Sequence, residues 1–271
     1  MSFTLDSAAK LNNEIQIPRL GLGVYQIHPG KSTIKAVKYA LEIGYRHFDT
    51  AMIYGNESDV GKALKESDVK REDIFITTKV WNSDQGYDST LKACESSLKR
   101  LDLSYVDLYL IHWPVREKII ETWKALIKLL NNERVKAIGV SNYSIEELKE
   151  TIDSSDIVPA INQVEFHPYL YQKELLRFCK SNVIQLEAYS PLTRGKRLND
   201  PKIVQIAKAY DKTPAQILVR WSLQHDLVVI PKSSHEKRIL ENSQVFDFQM
   251  NQKDMEILDS LNEDFRTVFL D

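Results

Sequence analysis

Four side chains able to support acid–base chemistry occur at or just after the ends of apolar runs. Asp49, Lys79 and His112 each end a short apolar run, and Tyr54 follows Asp49 by five positions. The carboxyl ends of parallel strands meet at one face of a barrel, where the active sites of such folds are built. We therefore expect these four side chains to converge on one site.

The four side chains match the needs of carbonyl reduction. When a hydride reaches the carbonyl carbon, negative charge builds on the oxygen, and a positioned acid must protonate it. Tyr54 is the candidate acid, although a free tyrosine, with a pKa of about 10, is a reluctant donor. Lys79 would stabilise the phenolate, Asp49 would supply the counter-charge of Lys79, and His112 would orient the carbonyl. The alternative without catalysis is that Asp49 and Lys79 form only a structural ion pair.

The elements that must position these residues follow a regular alternation. Short apolar runs cover residues 18–23, 45–49, 74–79, 106–112, 135–141, 160–165, 183–189 and 227–230. Segments of helical period separate them, for example Ile34, Val37 and Leu41. Eight strand and helix units in about 250 residues favour an α/β fold of the (β/α)8 TIM-barrel type over a doubly wound open sheet.

Two additions to the barrel are predicted at its ends. Asn12 and Asn13 lie in a turn-forming stretch within residues 10–18, which predicts an N-terminal β-hairpin that closes the bottom of the barrel. Residues 251–261 have the pattern of an added C-terminal helix. No shift of composition marks a linker, so residues 1–271 are expected to form one domain.

Three pairs of residues have the spacing of a capping box at the start of a helix. The pairs are Ser144 with Glu147, Thr213 with Gln216, and Ser233 with Glu236, and Pro214 stands where a first helical residue is expected.

The bulk properties limit the class of partner. A net charge of −2 with scattered basic residues does not suit a nucleic-acid partner, and no apolar stretch approaches the length of a membrane span. The first 15 residues lack the pattern of a secretion signal. Cys94 and Cys179 lie in segments of helical period and are expected to be reduced and buried, which fits a cytoplasmic protein.

The sequence contains six phrases that resemble the aldo-keto reductase superfamily, in the order in which the family has them. They are residues 44–51 with 54–57, and then 110–114, 138–143, 162–165, 188–192 and 230–233. The resemblance covers almost the whole chain, and the bacterial members that reduce glyoxals and diketo sugar acids are the ones it suggests. It implies a TIM barrel that binds NADPH without a Rossmann motif. Gln26 stands where the third glycine of that motif would be.

The resemblance assigns roles to individual residues. It implies Asp49, Tyr54, Lys79 and His112 as the catalytic tetrad. It implies NADPH or NADP+ as the cofactor, held by Ser141, Asn142, Gln163, Tyr189, Ser190, Pro191, Leu192, Lys232, Ser233, Arg238 and Asn242. Lys232, Ser233 and Arg238 would surround the 2′-phosphate, which favours NADPH over NADH. The small carbonyl substrate would contact Tyr25, Trp81, His112 and Trp113.

The same residues allow other interpretations. Ser233 could serve only to start the helix that contains Arg238, and the aromatic residues could be ordinary packing. His47 and Asp49 could be metal ligands of a hydrolase, although no metal is expected, or the protein could bind NADPH without catalysis.

The loops limit what the resemblance says about the substrate. The segment after Trp113 is short, and the sequence stops soon after Arg266. Both features predict an open cavity with broad specificity for small, reactive carbonyls. The family further implies a monomer.

Overall fold

A computed structural model describes residues 4–269, and eight parallel strands form its central sheet. Two antiparallel strands precede them, β1 (Ala8–Lys10) and β2 (Gln16–Pro18). The parallel strands are β3 (Leu22–Gly23), β4 (His47–Asp49), β5 (Phe75–Val80), β6 (Val106–Ile111), β7 (Val135–Ser141), β8 (Ile161–Glu165), β9 (Gln185–Tyr189) and β10 (Val228–Val229). Each pairs with the next along the chain, and bridges from Leu20 to Val229 and from Gly23 to Lys232 close the sheet. The predicted (β/α)8 barrel is confirmed.

Amphipathic helices surround the barrel. They are α1 (Lys31–Glu42), α2 (Glu57–Lys65), α3 (Tyr87–Leu101), α4 (Ile119–Asn131), α5 (Ile145–Asp153), α6 (Lys173–Ser181), α7 (Pro201–Ala209), α8 (Pro214–Gln224), α9 (Glu236–Ser243) and α10 (Gln252–Asp259). The faces predicted from helical period are the buried ones, as Val37 and Leu41 of α1 illustrate. Cys94 of α3 and Cys179 of α6 are buried and free, as expected. The added C-terminal helix is α10.

Two of the three predicted capping boxes are present. Ser144 and Glu147 exchange side-chain bonds with each other's backbone N–H at the start of α5, and Thr213 and Gln216 do the same at α8. The box predicted for Ser233 and Glu236 is wrong. Helix α9 begins at Glu236 itself, one residue after its N-cap His235. The hydroxyl of Ser233 accepts a bond from the His235 backbone N–H instead, at 3.1 Å.

The N-terminal hairpin closes the lower end of the barrel, as predicted. The side-chain amide of Asn12 donates to the backbone oxygens of Val158 and Pro159, just before β8 begins. Asn13 donates to Lys136 at the start of β7. Apolar residues from the hairpin and from the strands form one buried cluster there: Ala9, Leu11, Ile17, Phe75, Leu108, Ala137, Ile161 and Val228.

Several strand bounds differ from the prediction at their first residues. Val183 was expected in the seventh barrel strand, but it has a positive φ of 57° and an exposed side chain in the turn after α6. That strand, β9, begins at Gln185. Pro18 belongs to the hairpin rather than to the first barrel strand, because a proline cannot donate to a central ladder.

None of the described helices is both long enough and apolar enough to cross a membrane.

Candidate active site

A cavity of about 900 Å³ opens at the carboxyl ends of the strands. Of the residues predicted for the site, these line it: Tyr25, Asp49, Tyr54, Trp81, His112, Trp113, Ser141, Asn142, Gln163, Tyr189, Ser190, Pro191, Leu192, Lys232, Ser233, Arg238 and Asn242. Lys79 is the exception. Lys79 has no solvent exposure and lies behind the residues that line the cavity.

The predicted ion pair lies beneath Tyr54. The Lys79 ammonium donates to Asp49 Oδ1 at 2.6 Å and to the Thr50 backbone oxygen at 2.9 Å. It lies 5.2 Å from the centre of the Tyr54 ring. The Tyr54 hydroxyl is 3.4 Å from His112 Nε2. The structure therefore brings all four residues of the tetrad together.

The local backbone after β4 sets the position of Tyr54. Residues Met52–Tyr54 form one turn of 3₁₀ helix, and Gly55 ends it with a φ of 67°. Glycine takes that left-handed conformation without the clash that a Cβ atom would bring. Asn56 fixes the same turn, because its side chain accepts from the Thr50 hydroxyl and donates to the Val24 backbone oxygen.

The site keeps its phenol protonated and its imidazole neutral. Burial, and then the charge of Asp49, raise the pKa of Tyr54 well above its usual value. Burial, and then the charge of Lys79, hold the pKa of His112 well below its usual value. The stabilisation of the phenolate that the sequence predicted from Lys79 is smaller than the effect of burial on the pKa of Tyr54. Asp49 offsets the ammonium at close range, and burial outweighs what remains.

A polar network lies along the floor of the cavity. The Tyr189 hydroxyl donates to Asn142 Oδ1 at 2.8 Å. Asn142 Nδ2 donates to the His112 backbone oxygen and to Ser141 Oγ, at 3.0 and 3.1 Å. Ser141 Oγ donates to the Gln163 backbone oxygen. These bonds connect the ends of β6, β7, β8 and β9, so the predicted nicotinamide residues are held rigidly together.

Gln163 connects this floor to two buried carboxyl groups. Its amide nitrogen donates to Asp49 Oδ2 at 2.7 Å and to Glu187 Oε2 at 2.9 Å. Sequence reasoning missed Glu187. The signal that could have found it is a single carboxyl residue within the apolar run that became β9.

Three cations gather at the other end of the cavity. They are Lys232 and Arg238, which the sequence predicted, and Arg194, which it did not. Burial lowers the pKa of Lys232, and the positive charges of Arg194 and Arg238 lower it further. Among residues 4–269, no carboxylate lies within ion-pair distance of Lys232 or Arg238. This end of the cavity therefore suits a multiply charged anion.

Arg194 also connects separate segments of the chain. Its guanidinium donates to Gln26 Oε1 at 2.7 Å and to the Thr267 backbone oxygen at 3.1 Å. The loop after β9, the loop after β3 and the C-terminal tail thus meet at one side chain. Arg194 follows the predicted segment 190–192 by only two positions, and that nearness could have drawn attention to it.

Aromatic rings surround the mouth near Tyr54. The Tyr25 ring lies 4.9 Å from that of Tyr54, and the Trp81 ring lies 5.0 Å from that of His112. Trp113 lines the same region. These three aromatic residues line the cavity beside Tyr54, which is the region where the sequence placed the substrate.

The residues that follow Arg266 reach the cavity, so its mouth is less open than the sequence analysis expected. Val268 and Phe269 line the cavity. The buried carboxylate of Glu165, at the end of β8, accepts from the backbone N–H groups of Thr267 and Val268, at 2.8 and 3.1 Å. The Glu165 carboxylate thus anchors residues 267 and 268 beside the cavity.

His47 does not join Asp49 in a metal site. The His47 Nε2 atom lies 3.3 Å from the Thr77 hydroxyl and 3.5 Å from Glu187 Oε1, deep inside the barrel. Asp49 instead contacts Lys79 and Gln163. Within residues 4–269, no three His, Cys, Asp or Glu side chains are grouped so as to hold a metal ion.

Comparison with known proteins agrees with this geometry. The sequence pattern of the Aldo/keto reductase family matches residues 19–263. Over 266 residues the chain is 50% identical to a glyoxal reductase of Bacillus subtilis, covering 98% of this chain and 96% of that protein. An aldo-keto reductase from a Medee basin deep-sea metagenome library superposes with a TM-score of 0.94 at 45% identity, with 97% of each chain covered. A variant of the protein Gox0644, solved in complex with NADPH, gives 0.93 at 42% identity, again with 97% of each chain covered.

The barrel and these relatives define an oxidoreductase that acts on carbonyl groups. The chain belongs to the aldo/keto reductase family.

Proposed function

We propose that this protein reduces small aldehydes, ketones and dicarbonyls to alcohols with NADPH, and that Tyr54 is the general acid. The observation that carries the proposal is the position of the Tyr54 hydroxyl. It lines the cavity, lies 3.4 Å from His112 Nε2 and stays protonated over the buried pair of Lys79 and Asp49. A protonated phenol that faces the cavity can give its proton to a carbonyl oxygen bound there.

The side chains of the cavity fit NADPH at both ends. Lys232, Arg238 and Arg194 would hold phosphate groups, because three unneutralised cations at one place suit that anion better than any neutral ligand. Ser233 would add a hydroxyl there, and Asn242 would lie near the adenine. NADPH, when bound, supplies the hydride.

The opposite end of the cavity would hold the nicotinamide. Ser141, Asn142 and Gln163 match the donors and acceptors of a carboxamide, and Tyr189 would stack on the ring. Ser190, Pro191 and Leu192 would lie along the pyrophosphate.

The residues around Tyr54 have separate roles in the protonation of the substrate. Neutral His112 hydrogen-bonds the substrate oxygen and directs it toward the Tyr54 hydroxyl, which donates its proton as charge develops on that oxygen. The Lys79 ammonium stabilises the phenolate that remains, and Asp49 keeps Lys79 charged. Tyr25, Trp81 and Trp113 exclude water from the reacting atoms.

Small, reactive carbonyls are the substrate class that we propose. Glyoxals and related dicarbonyls fit a cavity bounded by three aromatic residues and a short tail, and the Bacillus relative carries the name glyoxal reductase. A panel of aldehydes, ketones and dicarbonyls, followed by loss of NADPH absorbance, tests the class. A strict preference for one large substrate would contradict it.

The central test is the substitution Tyr54→Phe. Removal of the proton donor is expected to lower kcat by about 10²–10⁴-fold, while the variant still binds NADPH. Steady-state kinetics and a fluorescence titration with NADPH measure the two effects. Tyr105→Phe is the matched control, because Tyr105 stacks between Arg71 and Lys136 at the lower end of the barrel. Wild-type turnover by Tyr54→Phe would show that another group donates the proton.

We also propose that residues 1–271 form a single domain that acts as a monomer in the cytoplasm. The family pattern spans 19–263, and the buried, free Cys94 and Cys179 suit a reducing compartment. A dimer in size-exclusion chromatography with light scattering would contradict the monomer.

A further inference from the structure

A buried carboxyl group beneath the active site has no part in the mechanism above. Glu187 lies in the middle of β9 with no solvent exposure, directly beside Gln163 of β8 in the sheet register. Its Oε2 atom accepts from the Gln163 amide at 2.9 Å. Its Oε1 atom has no hydrogen-bond partner among the described residues, and His47 Nε2 is 3.5 Å away.

The charged groups that face Glu187 leave a carboxylate there without compensation. Lys79 of β5 is the cation that acts on Glu187 across the barrel, but its ammonium already contacts Asp49 at 2.6 Å. His47 carries no charge at neutral pH, because burial lowers its pKa to about 3. A second carboxylate beside Asp49 would be a buried, unpaired charge, which is costly. Burial and the charge of Asp49 accordingly raise the pKa of Glu187 to about 8.

Asp49 and Glu187 together decide which atoms Gln163 presents to the cavity. The Gln163 side chain has two N–H donors and one oxygen, and its two partners are both carboxyl oxygens. The nitrogen faces them because the Asp49 carboxylate can only accept hydrogen bonds and would repel an oxygen. A proton on Glu187 Oε1 leaves Oε2 as the acceptor of the second N–H. Both donors are therefore used inside the barrel, and the oxygen is the atom left for a ligand.

We propose that Glu187 is a positioning residue: its Oε2 atom accepts from the Gln163 amide and so holds the Gln163 oxygen toward the cavity, where that oxygen accepts a hydrogen bond from the nicotinamide carboxamide. Glu187 does this as a carboxylic acid without charge. The inference rests on the proposed function, since it requires the nicotinamide at this end of the cavity. A neutral Glu187 also leaves the floor with one negative charge, on Asp49, against one positive charge, on Lys79. The floor then gives the cationic ring of NADP+ no extra attraction over the neutral ring of NADPH.

Two variants separate the effect of holding the Gln163 amide in place from the effect of a charge at position 187. Glu187→Gln keeps an acceptor for Gln163 and cannot ionise, so its Kd for NADPH at pH 7 should stay within about threefold of wild type. Glu187→Leu removes the acceptor and leaves one buried N–H of Gln163 unpaired. Its Kd and KM for NADPH should rise about tenfold, with kcat at saturating NADPH changed far less.

The pH profile of cofactor binding tests the neutral state. Above about pH 8, where Glu187 ionises in the wild type, the second negative charge should tighten NADP+ relative to NADPH by about three- to tenfold. Glu187→Gln should keep a constant ratio of the two Kd values across that range. Fluorescence titrations with each nucleotide give both constants.

Infrared spectroscopy observes the proton without any cofactor. Wild-type protein at pH 7 should show the carbonyl band of a protonated carboxylic acid, lost both in Glu187→Gln and when the wild type is taken well above pH 8. Glu57→Gln is the control and should keep the band, because Glu57 is an equally buried carboxylate paired with Arg100.

The outcomes distinguish the two proposals. If wild-type protein binds no NADPH, the proposed function fails, and the infrared band still reports the state of Glu187. If NADPH binds, two results would overturn the inference. One is a band that persists in Glu187→Gln, and the other is a Glu187→Leu variant with wild-type affinity. Should Glu187→Leu fail to fold, the ratio of Kd values in Glu187→Gln decides.

Discussion

At the scale of single residues, burial controls the chemistry more than any one neighbouring charge does. Tyr54 and His112 both favour their neutral forms, although a lysine and an aspartate lie within a few ångströms of them. The ion pair of Lys79 and Asp49 is nearly self-compensating, so desolvation dominates. The tetrad residues could be predicted from their positions after strands, but this balance could not, since it depends on distances that the sequence does not contain.

The cationic end of the cavity gives a prediction at the same scale. Lys232→Ala or Arg238→Ala should weaken NADPH by about tenfold or more and NADH far less, because only NADPH carries the 2′-phosphate. Paired titrations with the two nucleotides measure this selectivity. Lys237→Ala, which changes a neighbouring lysine outside the cavity lining, is the control. Equal losses for both nucleotides would assign Lys232 and Arg238 to another part of the ligand.

At the scale of elements, the sequence predicted the order and type of nearly every strand and helix. It failed where the local pattern was ambiguous. Val183 has a strand-forming side chain, yet it occupies the turn that ends α6. Ser233 and Glu236 have the spacing of a cap, yet His235 takes that position. The contacts of Arg194 with Gln26 and Thr267 join segments that are remote in sequence, so no local pattern could indicate them.

The hairpin that closes the barrel gives a prediction for one element. Asn12→Ala removes the partly buried bonds to Val158 and Pro159, at a cost of about 1 kcal/mol each. The melting temperature should fall by about 3–6 °C, while kcat stays at the wild-type value because the active site is at the other end. Asn13→Ala is the control, since its bond to Lys136 is exposed and should contribute less. An equal loss of kcat and stability would show that the two ends are coupled.

At the scale of the whole molecule, the buried acid makes stability depend on pH. Folded Glu187 keeps its proton up to about pH 8, whereas the unfolded chain releases it near pH 4.3, the usual value for glutamate. The folded state therefore binds more protons between these values, and this group lowers stability as pH rises from about 4.3 to about 8. Below about 6.5, His47 acts in the opposite direction, because its folded-state pKa is depressed.

The difference between wild type and Glu187→Gln isolates this contribution from that of His47. The variant should gain stability relative to wild type as the pH is raised from about 5 to about 8, because it has no proton to lose. Thermal unfolding followed by circular dichroism at a series of pH values measures the gain. A difference that stays constant across the series would mean that Glu187 is ionised throughout.

The closed lower end of the barrel has a consequence for the movement of solvent. With the hairpin packed against that end, the cavity of about 900 Å³ exchanges water at the carboxyl ends of the strands, where Tyr25 lies. At roughly 30 Å³ per molecule, on the order of 30 waters must pass outward as cofactor and substrate pass inward. Binding of cofactor and substrate is thus coupled to the outward movement of water, and the release of that water contributes to the free energy of binding.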